Sequence, residues 1–151
     1  MSGILHDTFT IERVYEKCRD HVWSRWSDRA KKNRWMGGGI ERMEFAPGGR
    51  ERSVFRDAMG EHVDETAYFD IVEGRRIVMA YSMAMNGRVH SGSVATVTFA
   101  VEGGGTRLTN VEQITVLPPS DGVPGRRHGW TALLNALDGV LEADLSPGWS
   151  R

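Results

Sequence analysis

The longest uniform feature of this 151-residue chain is a stretch from residue 37 to residue 117 that lacks helical periodicity and consists of strand-like runs between turns. The turns contain glycine or proline, as in Pro47-Gly48-Gly49 and Asn86-Gly87, which favour tight reversals of the chain. Runs joined by such short turns pair as antiparallel neighbours, so the sequence predicts a meander of six strands. They cover residues 40–46, 50–56, 62–72, 76–85, 91–102 and 106–117.

The segments on either side of this meander have different patterns. Residues 8–14 are rich in β-branched and aromatic side chains and predict a first strand, and residues 18–35 predict two short helices with Ser27-Asp28 as a cap between them. Near the C-terminus, an apolar stripe at helical spacing predicts a long helix over residues 125–143. Its members are Trp130, Leu133, Leu134, Leu137, Val140 and Leu141.

These elements predict an α+β fold of the helix-grip type. It consists of a curved antiparallel sheet of seven strands, with two short helices after strand 1 and the long C-terminal helix over the sheet. The length is that of one compact domain, so we assign residues 1–151 to a single domain with a core from about residue 8 to residue 143.

Composition excludes several classes of protein. Nineteen basic and twenty acidic residues give a net charge of −1, without the basic excess that nucleic-acid binding needs. The single Cys18 predicts no internal disulfide and a reducing, cytoplasmic location. No apolar run reaches the length of a membrane span, and no signal sequence opens the chain.

Alternation along the strands predicts which side chains face the interior. On the run 62–72 it turns Val63, Glu65, Ala67, Phe69 and Ile71 inward. On the next three runs the inward sets include Tyr81, Ser93 and Glu112, and they are mutually consistent only if a bulge or an odd-length loop lies at Asn86-Gly87. The full inward sets of these runs are Ile77, Met79, Tyr81, Met83 and Met85, then Ser91, Ser93, Ala95, Val97, Phe99 and Val101, then Thr106, Leu108, Asn110, Glu112 and Ile114.

Five short motifs in the same order resemble recurring stretches of the START-like superfamily, also called SRPBCC. They are similar above all to its branch related to the activator of the heat-shock chaperone ATPase. The motifs are WMGGG at 35–39, PGG at 47–49, YFDIVEGRRIV at 68–78, SVATV at 93–97 and GGTRLT at 104–109. The resemblance implies a ligand cavity between the sheet and the C-terminal helix, and often a homodimer, but no fixed catalytic set.

We therefore expect a small apolar or amphipathic ligand in that cavity. Two buried carboxylates would need solvent or a ligand as partner. The alternative is a register shifted by one residue, which makes Glu65 and Glu112 ordinary surface charges. The candidate lining residues are Glu65, Phe69, Met79, Tyr81, Met83, Ser93, Asn110, Glu112, Trp130, Leu134 and Leu137.

Two other functions remain open at this point. In a cyclase-like or aromatase-like enzyme, Glu65, Glu112 and Tyr81 would transfer protons. A protein-interaction domain, for example one that acts on a chaperone, would need a large exposed apolar patch.

No metal or cofactor is predicted. The histidines show no metal-ligand spacing, and the glycine clusters lack the lysine of a nucleotide-binding loop. Arg126-Arg127-His128 opens the last helix, where cations oppose the helix dipole, so an anion or an acidic partner could lie there.

Overall fold

The first and last strands of the chain are neighbours in the sheet. The computed structural model describes residues 3–144 and contains one seven-stranded antiparallel sheet in the order β1-β7-β6-β5-β4-β3-β2. The predicted helix-grip architecture is thereby confirmed. Its elements are β1 Leu5–Tyr15, α1 Arg19–Ser27, α2 Arg29–Asn33, β2 Ile40–Met43, β3 Arg50–Asp57, β4 Gly60–Val72, β5 Arg76–Met85, β6 Arg88–Glu102, β7 Gly105–Val116 and α3 Gly122–Ala143.

The inner face of the sheet follows the predicted alternation on β5, β6 and β7 with one exception. The predicted burial of Val101 is wrong, because this residue lies at the end of β6 beside the turn to β7 and is 63% exposed. Met79 and Tyr81 on β5, Val97 on β6 and Asn110 and Glu112 on β7 are all buried. The pairing Tyr81↔Ser93 and Ser93↔Ile114 places these inward sets on common rungs.

Two of the three register shifts in the sheet set the phase of β4, β5 and β6, and the third lies between β2 and β3. Between β5 and β6, Met83 pairs with Ser91 and Ala84 pairs with Val89, so His90 is the extra residue next to the two-residue Asn86-Gly87 turn. This confirms the predicted irregularity. Each bulge adds one residue to one strand only, and the side-chain alternation on either side of it is thereby shifted by one.

The second bulge, in β4, overturns part of the predicted register. Tyr68 pairs with Met79 and Asp70 with Val78, so Phe69 is the unpaired residue. Ile71 beyond the bulge packs against the core as predicted. Before the bulge the alternation is reversed, and the predicted inward orientation of Glu65 and Phe69 is wrong: the Glu65 side chain is 55% exposed and Phe69 is 58% exposed.

The three helices cover the inner face. Asp28 caps α2 by accepting a hydrogen bond from the Lys31 backbone N–H, 3.0 Å away, as the sequence indicates. Helix α3 begins three residues earlier than predicted, because Pro124 lies in its first turn, where a missing N–H costs no helical hydrogen bond. Its buried side chains are Trp130, Leu134, Leu137 and Leu141. No helix within residues 3–144 is long and apolar enough to cross a membrane.

Asp144 joins the end of α3 to α1. Its Oδ2 atom lies 2.9 Å from His21 Nε2 and accepts a hydrogen bond of 2.9 Å from Arg25 Nε. Burial raises the pKa of Asp144, but the hydrogen bonds from His21 and Arg25 together outweigh it, so the pKa lies below its ordinary value. The carboxylate therefore stabilises the folded state in its charged form.

We expect Asp144→Asn to lower the free energy of unfolding by about 1–3 kcal/mol at pH 7, since it removes the charge from hydrogen bonds to ionised groups. Because the folded-state pKa is lowered, the contribution is complete above the unfolded-state pKa of about 4 and is lost as pH falls through the folded-state value. Urea unfolding of both proteins between pH 7 and pH 2 should show the difference shrinking in acid. Asp138→Asn, an exposed acid of the same helix, should change stability by less than about 0.5 kcal/mol. A constant difference across this pH range would contradict the assignment.

Candidate ligand site

The inner face of the sheet carries polar side chains beneath α3, where an ordinary core would be apolar. Asn110 and Glu112 on β7 are both 0% exposed. They point inward because β7 alternates strictly, with Leu108 and Ile114 as their buried apolar neighbours on the same face. A buried carboxylate is costly unless it is paired and hydrogen-bonded, so its partners define the chemistry of this interior.

Glu112 is the centre of a network that joins three strands to α3. Its Oε2 atom accepts hydrogen bonds from Tyr81 Oη at 2.7 Å, Ser93 Oγ at 2.7 Å and Arg126 Nη1 at 3.1 Å. Its Oε1 atom accepts one from Trp130 Nε1 at 2.7 Å. We call these five residues the Glu112 network. Both carboxylate oxygens of Glu112 accept hydrogen bonds, and the negative charge of Glu112 is balanced by Arg126.

The same network fixes the protonation of Tyr81. Burial, reinforced by the negative charge of Glu112, raises the pKa of Tyr81 well above its ordinary value. Its hydroxyl donates to Glu112 and accepts from Arg126 Nη1 at 3.0 Å. Tyr81 is therefore a neutral hydrogen-bond donor at physiological pH and cannot serve as a base there.

A second buried ion pair lies at the β3–β4 side of the sheet. Lys32 Nζ on α2 lies 2.8 Å from Glu51 Oε1 on β3, with both side chains 5% exposed. The Tyr68 hydroxyl donates to the same Glu51 oxygen and accepts from Lys32 Nζ at 3.4 Å. We call these three residues the Lys32 network. One cation again balances one carboxylate.

Asp64 lies on the inner face of β4, on the same side as Thr66 and Tyr68, and is only partly buried. Its one side-chain hydrogen bond comes from Thr66 Oγ1 at 3.4 Å. Burial and the nearby charge of Glu51 raise the pKa of Asp64 to about 7, against the opposing effect of Lys32 and Arg126. The charges of both networks therefore influence the pKa of Asp64, although its carboxyl group is not hydrogen-bonded to a member of either network.

Buried polar atoms without a hydrogen-bond partner among the described residues occur in four side chains, those of Arg19, Trp26, His90 and Asn110, and two of these side chains belong to fully buried residues. The first is the Asn110 side chain, whose Oδ1 and Nδ2 atoms are both unpaired. The second is the indole N–H of Trp26, a residue that is 1% exposed and whose ring lies 5.8 Å from Lys32 Nζ. Each such group costs about 1–3 kcal/mol when it is left unsatisfied.

The structure brings most of the predicted lining residues to one interior. The buried ones are Met79, Tyr81, Ser93, Asn110, Glu112, Trp130, Leu134 and Leu137, and Met83 packs partly buried against them. Glu65 lies on the opposite face of the sheet, where it pairs with Arg52. The predicted catalytic group of Glu65, Glu112 and Tyr81 therefore does not converge on one point.

Sequence reasoning missed the other charged residues of this interior. The predicted alternation turns Glu65 inward and therefore its neighbour Asp64 outward, because the bulge at Phe69 is not visible in the sequence. Lys32, Glu51 and Tyr68 carry no shared motif. The sequence predicts a possible anion site at the basic start of α3. In the structure, Arg126 of this segment pairs with Glu112 of the same chain.

Two open depressions lie on the outer face of the sheet, away from α3. Their volumes are about 720 Å³ and 340 Å³, and they meet at Gly92 and Ser93. No residue of α3 lines either one, so neither is the predicted cavity. Among the residues described, no group of three or more His, Cys, Asp or Glu side chains could hold a metal ion.

Comparison with solved structures identifies close relatives of the whole chain. Protein Mll3558 from Rhizobium loti is 37% identical, with a TM-score of 0.84 over 91% of this chain and 98% of that one. An uncharacterised protein from Rhizobium leguminosarum is 32% identical, with a TM-score of 0.88 over 93% of this chain and 97% of that one.

More distant proteins share the fold alone. CalU16 from Micromonospora echinospora is 21% identical, with a TM-score of 0.69 over 98% of this chain and 87% of that one. No curated protein matches the sequence. The model of the family described as "Activator of Hsp90 ATPase homolog 1-like protein" matches residues 18–142, and the chain therefore belongs to that family.

Proposed function

We propose that this protein binds a small, partly apolar organic molecule between the inner face of the sheet and α3. The observation that carries the proposal is the Asn110 side chain, which is 0% exposed and has no hydrogen-bond partner for either of its polar atoms among residues 3–144. A bound molecule with one acceptor and one donor would satisfy it.

Stability alone gives no reason for an amide at this position. Asn110 pairs across the sheet with Ile11 and Val97, both buried, and an apolar side chain in such surroundings would avoid the cost of an unsatisfied amide. Residues that lower stability without a structural benefit are typical of binding sites.

The surroundings fit an apolar molecule with a few polar groups. Trp26, Trp130 and Phe99 contribute aromatic surface, with the Trp26 and Trp130 rings stacked at 6.2 Å between centroids. The unpaired Trp26 N–H offers one further donor. A mostly apolar lining with few convergent polar groups is characteristic of small-molecule sites.

The Glu112 network has a different part in this proposal. The polar atoms of this network already form hydrogen bonds with one another, and these bonds hold α3 against the sheet. The polar contacts to the ligand therefore come from Asn110 and Trp26. A homodimer and a cytoplasmic location also remain predictions, and the exposed free Cys18 is compatible with a reducing compartment.

Native mass spectrometry of the purified protein tests the proposal directly. We expect a population with added mass that disappears on denaturation, and extraction should yield an organic compound. Protein that carries no added mass, and that also fails to bind the neutral probe 1-naphthylmethanol at millimolar concentration, would refute the proposal.

Replacement of Asn110 by Leu separates binding from stability. Removal of an unsatisfied buried amide should raise the free energy of unfolding by about 1–3 kcal/mol. The same change should weaken 1-naphthylmethanol binding about tenfold, equivalent to about 1.4 kcal/mol, as followed by the Trp indole N–H signals in NMR. Gln113→Leu, on the outer face of the same strand, should leave binding unchanged. Greater stability with unchanged affinity would assign Asn110 to the core alone.

Arg126→Met tests the role of the Glu112 network as the frame of the site. The change leaves Glu112 buried without its counter-charge, and we expect a loss of about 3–5 kcal/mol in the free energy of unfolding. Most of that loss should be recovered in the double variant with Glu112→Gln, measured by urea unfolding. Arg127→Met, an exposed neighbour whose guanidinium lies 5.4 Å from the Phe9 ring, should cost less than about 1 kcal/mol. If the effects of the two substitutions on the free energy of unfolding were simply additive, Glu112 and Arg126 would not be coupled, and the prediction would be wrong.

A further inference from the structure

The positive and negative charges on the inner face of the sheet do not balance when Asp64 is ionised. Two cations, Lys32 and Arg126, face three carboxyl groups, Glu51, Glu112 and Asp64. Lys32 pairs with Glu51, and Arg126 pairs with Glu112. Among residues 3–144, Asp64 is left as the one acid of this interior without a cation in hydrogen-bond contact.

The position of Asp64 suits contact with a molecule that enters the interior. It is partly exposed, whereas its neighbours Thr66 and Tyr68 on the same face of β4 are 9% and 1% exposed. It pairs across the sheet with Met83, which packs against the apolar core. The carboxyl group thus lies where solvent and apolar interior meet.

The fully buried indole of Trp26 lies beside the Lys32 network. Its ring is within 5.8 Å of Lys32 Nζ, and its N–H has no partner among the described residues. Aromatic rings attract cations as well as apolar groups, so the wall beside the Lys32 network can receive both parts of an amphipathic cation.

We infer that the ligand of this protein is an apolar organic amine whose protonated nitrogen pairs with Asp64. This inference rests on the proposed function and adds the chemical class of the ligand. The ammonium group supplies the missing positive charge, and the organic part lies against the aromatic side chains beneath α3. An anionic ligand would add a fourth negative charge to the same interior.

The inference predicts how binding depends on pH. The charged groups around Asp64 are Glu51 on β3, Lys32 on α2 and Arg126 on α3, and the neutral hydroxyls of Tyr68 and Tyr81 face it from β4 and β5. His62, two residues earlier on the same face of β4, pairs with Asp57. Since its pKa is about 7, Asp64 is mostly protonated at pH 6 and mostly ionised at pH 8. An amine that pairs with the ionised form should bind roughly tenfold more tightly at pH 8 than at pH 6.

The test compares three probes that share one ring system: 1-naphthylmethylamine, 1-naphthylmethanol and 1-naphthylacetate. Dissociation constants come from calorimetry and from NMR shifts of the Trp indole signals. With the native protein at pH 8, we expect the amine to bind at least tenfold more tightly than the alcohol, and the carboxylate to bind most weakly. In Asp64→Asn the preference for the amine and its pH dependence should both disappear, while alcohol binding persists.

Glu65→Gln is the matched control, because it removes the same charge from the next residue on the opposite face of the sheet. It should keep the full preference for the amine. Thermal unfolding checks that each variant is folded: the raised pKa of Asp64 makes its ionised form destabilising, so Asp64→Asn should melt at least as high as the native protein at pH 8.

The outcomes separate the two proposals. Equal binding of amine and alcohol, tighter binding of the carboxylate, or an amine preference that survives in Asp64→Asn would overturn the assignment of an amine ligand and leave the binding function intact. Failure of all three probes, together with the absence of a co-purifying compound, would overturn both.

Discussion

The buried pair of Glu112 and Arg126 is the interaction on which the arrangement of this protein depends. It connects β7 to the start of α3, and its carboxylate is fully buried, with Glu112 0% exposed. A carboxylate there is tolerable only because four donors and one full positive charge surround it. The position of Arg126, and with it the entry of α3 onto the sheet, is therefore fixed by a polar contact, and Leu134, Leu137 and Leu141 complete the packing through apolar burial.

The two buried networks have the same composition: one cation, one carboxylate and at least one tyrosine hydroxyl. Each is neutral as a unit, which is what a low-dielectric interior requires. Asp64 and Asn110 depart from this rule, since neither has a full set of partners within the described part of the chain. The two networks, whose polar groups are paired, form the frame of the interior. Asp64 and Asn110, which lack partners, are the candidate contacts of a ligand.

The membership in a family of chaperone ATPase activator homologues does not by itself decide what the interior binds. The two relatives from Rhizobium share the fold over nearly their whole length, and fold does not dictate chemistry. The chemistry must be read from this chain's own side chains, and those that differ from an ordinary apolar core are Asp64, Asn110 and the members of the two networks.

The sequence by itself determined the order of the elements, the helix-grip architecture and most of the inward positions of β5, β6 and β7, whereas the burial of Glu112 was one of two alternatives that the structure decided. The features determined by the sequence follow from local signals: turn residues, alternation within a strand and helical periodicity act over a few neighbours in the chain. The tertiary structure alone decided the phase of β4 and the pairing of charges. The bulge at Phe69 arises from how β4 fits against β5, and no local sequence pattern indicates it. The sequence therefore predicts Glu65 on the inner face and Asp64 on the outer face, whereas the structure shows the reverse. The partners of Glu112 and Glu51 come from helices 14 and 19 residues away in sequence, and only the packing of those helices onto the sheet brings the opposite charges together.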